Sequence, residues 1–287
     1  MLLQFIINGL ITGLLYSLLA IGFALVYNTT HIFHIAAAGI YVFAAYMFWW
    51  VNGFLPVVPA FIVSIFLTCL LSLLVDWLVY RPISSKGASR NSLLIASIGV
   101  MIILANSVAM LFGNMSKTID HEFPKTYEFL SISISSFQIT QVVVSCISIS
   151  VFLILLRKSF WGIKLRAFGD DSVLYSAIGL NDKRIRILIF SLSGVFIALA
   201  SDLTVLEVGM MPSMGMAALV NAMVAMIIGG TGRYFTCLLG GLLLGLVQSS
   251  TMIFASSTWQ MAISFIILLI FLFLRPQGIA GIKQRAI

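Results

Sequence analysis

Charged side chains are scarce in this sequence, since Asp, Glu, Lys and Arg make up only 9% of its 287 residues. Hydrophobic residues account for 61%, so the chain lacks a sizeable polar stretch that would form a soluble domain. The formal net charge is +7, but a nucleic-acid-binding surface is excluded because a basic patch needs a water-exposed face. The composition therefore predicts a protein embedded in a lipid bilayer.

Residues that carry chemistry are also few, with three cysteines and three histidines. The cysteines lie within apolar stretches and lack metal-ligand spacing, which favours simple packing. His121 lies between Asp120 and Glu122, but a lone histidine in such a loop is usually solvated, so we predict no metal site. No Ser-His-acid set or carboxylate pair shares a plausible site, and GGTGR at 229–233 lacks the Lys and Ser or Thr of a phosphate-binding loop. We predict that the chain has no catalytic residues, is not an enzyme and binds no cofactor.

Nine predominantly apolar stretches have roughly the 17 to 25 residues that a membrane-spanning helix needs. They are Phe5 to Tyr27, Phe33 to Val51, Val57 to Tyr80, Ser92 to Gly113, Gln138 to Leu156, Ile187 to Leu206, Met211 to Gly230, Thr236 to Phe254 and Trp259 to Leu274. The predicted fold is all-α, a polytopic transmembrane helix bundle of about nine segments that forms a single domain over residues 1–287.

The basic residues indicate the orientation of this bundle. Cytoplasmic loops carry an excess of Lys and Arg, and one consistent orientation places fourteen of the sixteen on the same side. Only Lys117 and Lys125 then lie outside, in an outer loop at 114–137. We expect the N-terminus outside and the C-terminus in the cytoplasm.

The longest cytoplasmic segment, residues 157–186, carries seven basic and three acidic residues. Asp171 is suited to cap a helix that begins at Ser172, Gly179 to end it, and Asn181 with Asp182 to begin the next element. This pattern predicts a short helix held beneath the membrane. An ordinary solvated connector is the alternative, and composition alone leaves both open.

Two of the nine stretches contain residues that interrupt a helix. In residues 28–46, polar side chains precede an Ala-rich run. In residues 208–230, the helical part from Ala217 reaches only about 20 Å of the roughly 30 Å that a span requires. The residues predicted to interrupt or end these two helices are Gly39, Gly209, Pro212, Gly215, Gly229 and Gly230.

Irregular backbone at membrane depth persists only where protein shields it or where it lines a wet cavity. The two broken stretches follow long spans of opposite direction, which indicates an inverted repeat and points to a translocation pathway. Close packing through small residues is the alternative. The candidate pathway residues are the polar groups in or beside these stretches, namely His31, His34, Asp202 and Asn221.

Two of these candidates have a second interpretation. His34 suits a packed neutral imidazole as well as it suits a pathway. Asp202 is expected about 7 Å inside the outer end of its span, where a carboxylate reaches water, so a group at the membrane rim is the alternative.

Three motifs resemble the LivH and LivM permeases, the membrane subunits of branched-chain amino acid ABC importers. The first is PSMGMAALVNAMVAMIIGGTGRYFTCLLGGLLLG, with its Pro-x-x-Gly, Gly-Gly-x-Gly and Gly-Gly-x-x-x-Gly spacing. The second is RAFGDDSVLYSAIGLN in the cytoplasmic segment, and the third is the ending RPQGIAG. The sequence Tyr80-Arg81-Pro82, followed by LLIASIGVMIILAN, resembles the LivH branch most.

The resemblance implies a permease subunit in a bacterial-type inner membrane. ABC ATPase subunits would dock on the cytoplasmic side and use ATP there, an extracytoplasmic substrate-binding protein would deliver solute, and a second permease subunit would complete a homo- or heterodimer. The solute would be a branched-chain or other amino acid. By the same resemblance, the residues expected to couple this chain to the ATPase are Arg166, Asp170, Asp171, Tyr175 and Gly179.

The chain departs from the family where a solute would pass. Residues 34–38 read HIAAA where Asn-x-Ala-His-Gly is common, and Asn221 occupies a frequent Lys position. Asp202 replaces an apolar residue, and Tyr175 replaces a small one. A different small solute, such as urea or an amide, is therefore an alternative. A stand-alone channel or secondary transporter is another, although the sequence offers no acidic relay for it.

Overall fold

The computed structural model describes residues 2–119, 126–129, 132–230, 232–252, 256, 259–275 and 278–279. This part of the chain forms twelve α-helices, one π-helical turn (Asp76–Tyr80) and one antiparallel hairpin. The helices are α1 (Leu2–Thr30), α2 (Ala36–Asn52), α3 (Val57–Val75), α4 (Arg81–Ser85), α5 (Arg90–Phe112), α6 (Ser136–Lys158), α7 (Phe160–Asp170), α8 (Ser172–Ala177), α9 (Asp182–Val208), α10 (Met214–Gly229), α11 (Tyr234–Thr251) and α12 (Gln260–Leu274). The strands are β1 (Thr126–Phe129) and β2 (Ile132–Ser135).

Six helical stretches are long and apolar enough to cross a membrane, and α2, α10 and α12 are shorter apolar helices. Together these follow the order of the nine predicted stretches, with limits that differ by a few residues. The polytopic helical bundle is thus confirmed. The count of nine full spans is loose, because α12 has only 15 residues and reaches about 22 Å of the roughly 30 Å hydrocarbon core.

The two halves of the bundle share one packing pattern in opposite directions. Asn8 of α1 lines a cavity with Val208 of α9, and Thr30 lines another with Arg186, so α1 and α9 run antiparallel. α1 packs on α11 as α9 packs on α3, while α2 packs on α3 and α5 as α10 packs on α11 and α12. This correspondence is the predicted inverted repeat.

The first short helix, α2, follows a non-helical stretch at 31–35. His31 has a φ of 55°, a left-handed conformation uncommon for residues other than glycine, so the chain turns sharply there. Gly39, however, does not interrupt the helix as predicted. It lies inside α2, where a Cβ would be 2.8 Å from the Leu104 Cβ of α5, so this glycine serves close packing.

The second short helix, α10, follows an irregular stretch at 209–213 that includes Pro212. Gly209 has a φ of 79°, and a Cβ there would be 2.8 Å from the Lys117 carbonyl oxygen. Glycine is therefore required on both conformational and steric grounds. The backbones of Lys117 and Met210 exchange hydrogen bonds of 2.9 and 2.7 Å, which hold this stretch in place.

The helix begins at Met214, three residues before the predicted helical part from Ala217. Gly215 lies within α10 rather than in the break, and a Cβ there would overlap the Ala38 carbonyl oxygen of α2. The two short helices therefore touch at this glycine. α10 ends at Gly229, and Gly230 has a φ of 103°, as expected for a glycine that terminates a helix.

The hairpin lies at the end of the bundle where α1 begins, which we term the hairpin end. Gln4 donates to the Ser133 carbonyl and accepts from the Ser133 amide, each at 3.0 Å. Residues Ile132–Ser135 thus form a strand directly before α6. Residues 120–125 of the predicted outer loop, including His121, lie outside the described residues, as do Lys283 and Arg285.

Glycines hold α11 against two neighbours at once. A Cβ at Gly245 would overlap the Gly9 carbonyl oxygen of α1, and a Cβ at Gly240 would overlap the Ala225 carbonyl oxygen of α10. Small residues at such crossings let helix backbones approach closely enough for dispersion to hold them together in lipid. The central helices α1 and α9 are accordingly more enclosed, with 78% and 67% of an apolar 18-residue stretch buried. The corresponding share is 17 to 28% for the stretches that contain α3, α5 and α6, whose apolar faces suit lipid or partner subunits.

We predict that Gly240→Ala lowers the melting temperature of the detergent-solubilised protein by several degrees, because the added methyl overpacks α10 against α11 at a cost of about 1–3 kcal/mol. Gly99→Ala is the matched control, since a Cβ at that helical glycine has nothing within 4 Å. Equal melting temperatures for the two variants would contradict the proposed packing.

Candidate functional site

A hydrogen-bonded group of polar side chains lies between α1, α10, α11 and α12, and we call it the Asn221 cluster. Its members are Tyr16, Asn221, Gln248 and Ser264. The Tyr16 hydroxyl donates to Gln248 Oε1 at 2.8 Å, and Gln248 Nε2 donates to Asn221 Oδ1 at 3.2 Å. Ser264 donates to the same Asn221 oxygen at 2.9 Å, and Gln248 Nε2 also contacts Ser264 Oγ. The cluster thus gathers amides and hydroxyls from four helices at the second short helix.

A cavity of about 220 Å³ connects the Asn221 cluster to the hairpin end. Gln248 belongs to the cluster and also lines this cavity. Glu207 lines the other side and accepts from Gln138 Nε2 at 2.7 Å. The remaining lining residues are Asn8, Ile11, Thr12, Val208, Gly245, Ser249, Met252 and Gln260. A solute that enters here meets polar groups from the rim to the cluster.

Sequence reasoning found one member of this site and missed the others. Asn221 was identifiable because it lies in a broken stretch. Tyr16, Gln248 and Ser264 lie in regular spans, and the signal that could have found them is a polar side chain within an apolar helix, which usually faces the bundle interior.

The structure places His34 away from this cluster, at the start of α2. Its Nδ1 lies 2.8 Å from the Tyr80 hydroxyl, which lies 2.8 Å from Ser97 Oγ. The Ala36 amide donates to the same Ser97 oxygen at 2.8 Å. His34 is wholly buried and packs edge-on against Tyr80 and Phe190. This is the surrounding expected of a packed imidazole.

Asp202 does not reach water at the rim, so that expectation is wrong. Its side chain is wholly buried, and Ser64 of α3 donates to Oδ1 at 3.2 Å. The Ser64 hydroxyl also contacts the Ala44 carbonyl of α2 at 3.1 Å, and Ser201 donates to the Tyr41 carbonyl at 2.7 Å. The carboxyl is buried because α2 and α3 cover this turn of α9, which depth along one helix does not reveal.

His31 lies at the opposite end of the bundle, which carries α7 and α8 and which we term the α7–α8 end. It lines a cavity of about 310 Å³ with Arg186, Phe168 and the α7–α8 junction. Partial burial, and to a lesser extent the charge of Arg90, lower the pKa of the His31 imidazole below its usual value. Both effects disfavour the protonated form of His31.

Segment 157–186 forms two helices rather than the single predicted one, because Ser159 caps an additional helix, α7. Asp171 caps α8 as predicted, accepting from the Val173 and Leu174 amides at 2.9 Å each. Asn181 caps α9, which begins at Asp182 as expected.

The five predicted coupling residues lie together on this segment with different exposures. Tyr175 is buried, with its ring packed edge-on against Phe168, and Gly179 makes the turn after α8 with a φ of 83°. Arg166, Asp170 and Asp171 are exposed. An aromatic pair thus joins α7 to α8, while acidic and basic groups of the segment remain accessible.

Comparison with known proteins identifies the family of this chain. Residues 5–272 match the family described as the permease component of the branched-chain amino acid transport system. The chain is 27% identical to the high-affinity branched-chain amino acid transport system permease protein LivH of Escherichia coli, covering 97% of this chain and 95% of that one. It is 29% identical to BraD of Pseudomonas aeruginosa, a permease protein of the same description, with the same coverage.

A more distant relative and a solved structure extend the comparison. The probable branched-chain amino acid transport permease protein LivH of Methanocaldococcus jannaschii is 24% identical, over 97% of this chain and 92% of that one. PsaBC from Streptococcus pneumoniae, solved with a Fab, shares the fold with a TM-score of 0.51 at 14% identity, over 94% of this chain and 91% of that chain. Since the family match spans both short helices, the Asn221 cluster and segment 157–186, the chain belongs to the family of branched-chain amino acid transport system permease components.

Proposed function

We propose that this chain is the permease subunit of an ABC importer that moves a branched-chain amino acid across the inner membrane. The observation that carries the proposal is the family match over residues 5–272, which includes both broken helices and the polar cluster beside the second. Relatives over 97% of the chain are named as branched-chain amino acid permeases.

The solute route runs from the hairpin end through the 220 Å³ cavity to the Asn221 cluster. The hairpin end faces outward in this proposal, because the α7–α8 end carries the basic loops and the positive-inside rule places those in the cytoplasm. An extracytoplasmic binding protein delivers solute at the outer face. Glu207 offers a carboxylate at the mouth for the ammonium group of an amino acid, and the amides beyond it offer hydrogen bonds to the carboxylate.

ATP is used by partner ATPase subunits that dock on α8. Val173 and Leu174 of this short helix, and Ile178 directly after it, are apolar yet exposed by 78, 60 and 64%. Exposed apolar groups among polar neighbours are characteristic of protein contact sites. A second permease subunit, either a copy or a relative of this chain, pairs with it to complete the importer.

A second candidate solute is urea or a small amide. The Asn221 cluster carries no charged side chain among its four members, and amide and hydroxyl groups suit a neutral polar solute.

Reconstitution in proteoliposomes with the cognate ATPase, second permease and binding protein distinguishes these possibilities. We expect ATP-dependent accumulation of labelled leucine, isoleucine or valine. Accumulation of urea alone would favour the second solute, and solute flow without the ATPase would contradict the importer.

We predict that Asn221→Leu reduces ATP-driven uptake about tenfold, because each hydrogen bond lost from the cluster is worth about 1 kcal/mol. Uptake and ATPase copurification are measured on the same preparations. Asn106→Leu is the matched control, since the Asn106 amide contacts the Ile102 carbonyl of its own helix at 2.8 Å, away from the cluster. Unchanged uptake in Asn221→Leu would remove this residue from the pathway.

We also predict that Gly179→Val uncouples ATP hydrolysis from uptake. Gly179 has a φ of 83°, so a β-branched residue strains the turn after α8 by about 1–3 kcal/mol and displaces the docking helix. The ratio of solute transported to ATP hydrolysed is the measurement. Gly87→Val is the control, because Gly87 has a φ of 68° and similarly open surroundings in another loop of the same side. A similar fall in both variants would point to general loop strain instead.

A further inference from the structure

A buried carboxylate joins two separate elements at the α7–α8 end. The Asp76 side chain has no exposed surface, and its two oxygens bind different arginines. Arg81 Nε lies 2.7 Å from Oδ2, and an Arg186 terminal nitrogen lies 2.5 Å from Oδ1. We call Asp76, Arg81 and Arg186 the Asp76 clamp. Charge-assisted bonds of this kind are short and strong, so the carboxylate is held firmly.

The two arms of the clamp differ in what they connect. Arg81 follows Asp76 by five residues, so its ion pair closes a local loop within one segment. Arg186 belongs to the first turns of α9 and reaches Asp76 across 110 residues of sequence. Only the Arg186 arm therefore connects the α8–α9 region with the segment that follows α3.

Arg186 is also adjacent to the proposed docking segment. It lines the 310 Å³ cavity together with Asp170, Asp171 and Ser172, which form the α7–α8 junction. α8 ends at Ala177 and α9 begins at Asp182, so only a short connection separates the proposed docking helix from the helix that carries Arg186.

The π-helical turn connects the Asp76 clamp to the first short helix, α2. It begins at Asp76 and ends at Tyr80, whose wholly buried side chain contacts His34 and, through Ser97, the amide of Ala36. Ala36 is the first residue of α2. π-helical turns inside helices are rare and occur frequently at functional sites. One five-residue turn thus has the clamp at one end and the start of α2 at the other.

A second line of contact runs parallel to the first. The Arg186 guanidinium lies 5.9 Å from the Phe190 ring centroid, and that ring packs on both His34 and Tyr80, with centroids 5.8 and 5.7 Å apart. Arg186 is therefore linked to the start of α2 by an ion pair on one side and by aromatic packing on the other.

We propose that Asp76 and Arg186 are positioning residues that transmit the position of the ATPase-docking segment, through the π-helical turn and Tyr80, to the first broken helix. The inference rests on the proposed importer function and deepens it. In this arrangement α8 and α9 move with the ATPase, the Asp76 carboxylate follows Arg186, and the Tyr80 hydroxyl moves the residues that begin α2. Interruptions of this kind are where transporters change shape around a solute.

The test compares the two arms of the clamp. Arg186→Gln and Arg81→Gln each remove one arginine from the same carboxylate, and their side chains are similarly covered, at 15 and 24% exposure. In proteoliposomes with the full importer, we expect Arg186→Gln to lower the solute transported per ATP by at least about fivefold, the lower end of typical coupling between sites. Arg81→Gln should change this ratio by less than about twofold on the same scale. Equal losses in the two variants would overturn the proposal and assign the clamp to stability.

Two further variants keep the test decisive if Arg186→Gln assembles poorly. Arg186→Lys retains the charge and should recover much of the coupling. Tyr80→Phe leaves the clamp intact but removes the hydroxyl that reaches His34 and Ser97, and it should uncouple as Arg186→Gln does while ATP hydrolysis continues. Full coupling in Tyr80→Phe would overturn the transmission to α2.

A direct readout follows the start of α2. In a background without the three native cysteines, Ile35→Cys should change its thiol-labelling rate when ATP is added. This change should disappear with Arg186→Gln and persist with Arg81→Gln, and the opposite result would overturn the proposal.

If the unaltered complex transports without ATP, the importer function fails and this inference fails with it. If uptake is ATP-driven but Arg186→Gln and Arg81→Gln give the same results, only this inference fails.

Discussion

The backbone polar groups freed where α2 and α10 begin must find partners inside a membrane, and the rest of the structure is arranged to supply them. Helices that run unbroken satisfy their own amides and carbonyls, whereas a broken one depends on neighbours. Ser97 accepts from the Ala36 amide, and Lys117 pairs with Met210 through both of its backbone groups. Hydroxyls from other helices also cap carbonyls along α2, as Ser64 does for Ala44 and Ser201 for Tyr41. The irregular stretches are thus held in place by hydrogen bonds to backbone and side-chain groups that lie far away in sequence.

The same requirement explains the use of small residues. A broken helix is stabilised only if its neighbours come close enough to replace both lipid and water. Gly215 brings α10 onto α2, and Gly240 brings α11 onto α10. Close approach leaves little space beside these glycines. A cavity beside α11 lies instead at the hairpin end, where residues of α1, α6, α9, α11 and α12 line it.

Much of this architecture could be predicted from the sequence, because hydropathy and capping are local signals. The spans, both broken stretches and the caps at Asp171 and Asn181 depend on residues within a few positions of each other. The Asn221 cluster was less accessible, since Gln248 and Ser264 acquire their meaning only from helices that meet them in three dimensions. Asp202 illustrates the same limit, because its depth was inferable but its cover by α2 and α3 was not. Gly39 and Gly215 look like helix breakers in a sequence, whereas neighbouring helices make them contact points.

The π-helical turn at Asp76–Tyr80 makes the number of residues between Asp76 and Arg81 structurally important. Its widened ring lets the Arg81 amide bond the Asp76 carbonyl five residues back, and the same spacing sets the Arg81 side chain beside the Asp76 carboxylate. Removing one residue there would close this widened ring and restore ordinary α-helix, with no extra residue between Asp76 and Arg81. A one-residue gap in this stretch among related permeases therefore marks the loss of the π-helical turn, rather than a harmless trimming of a loop.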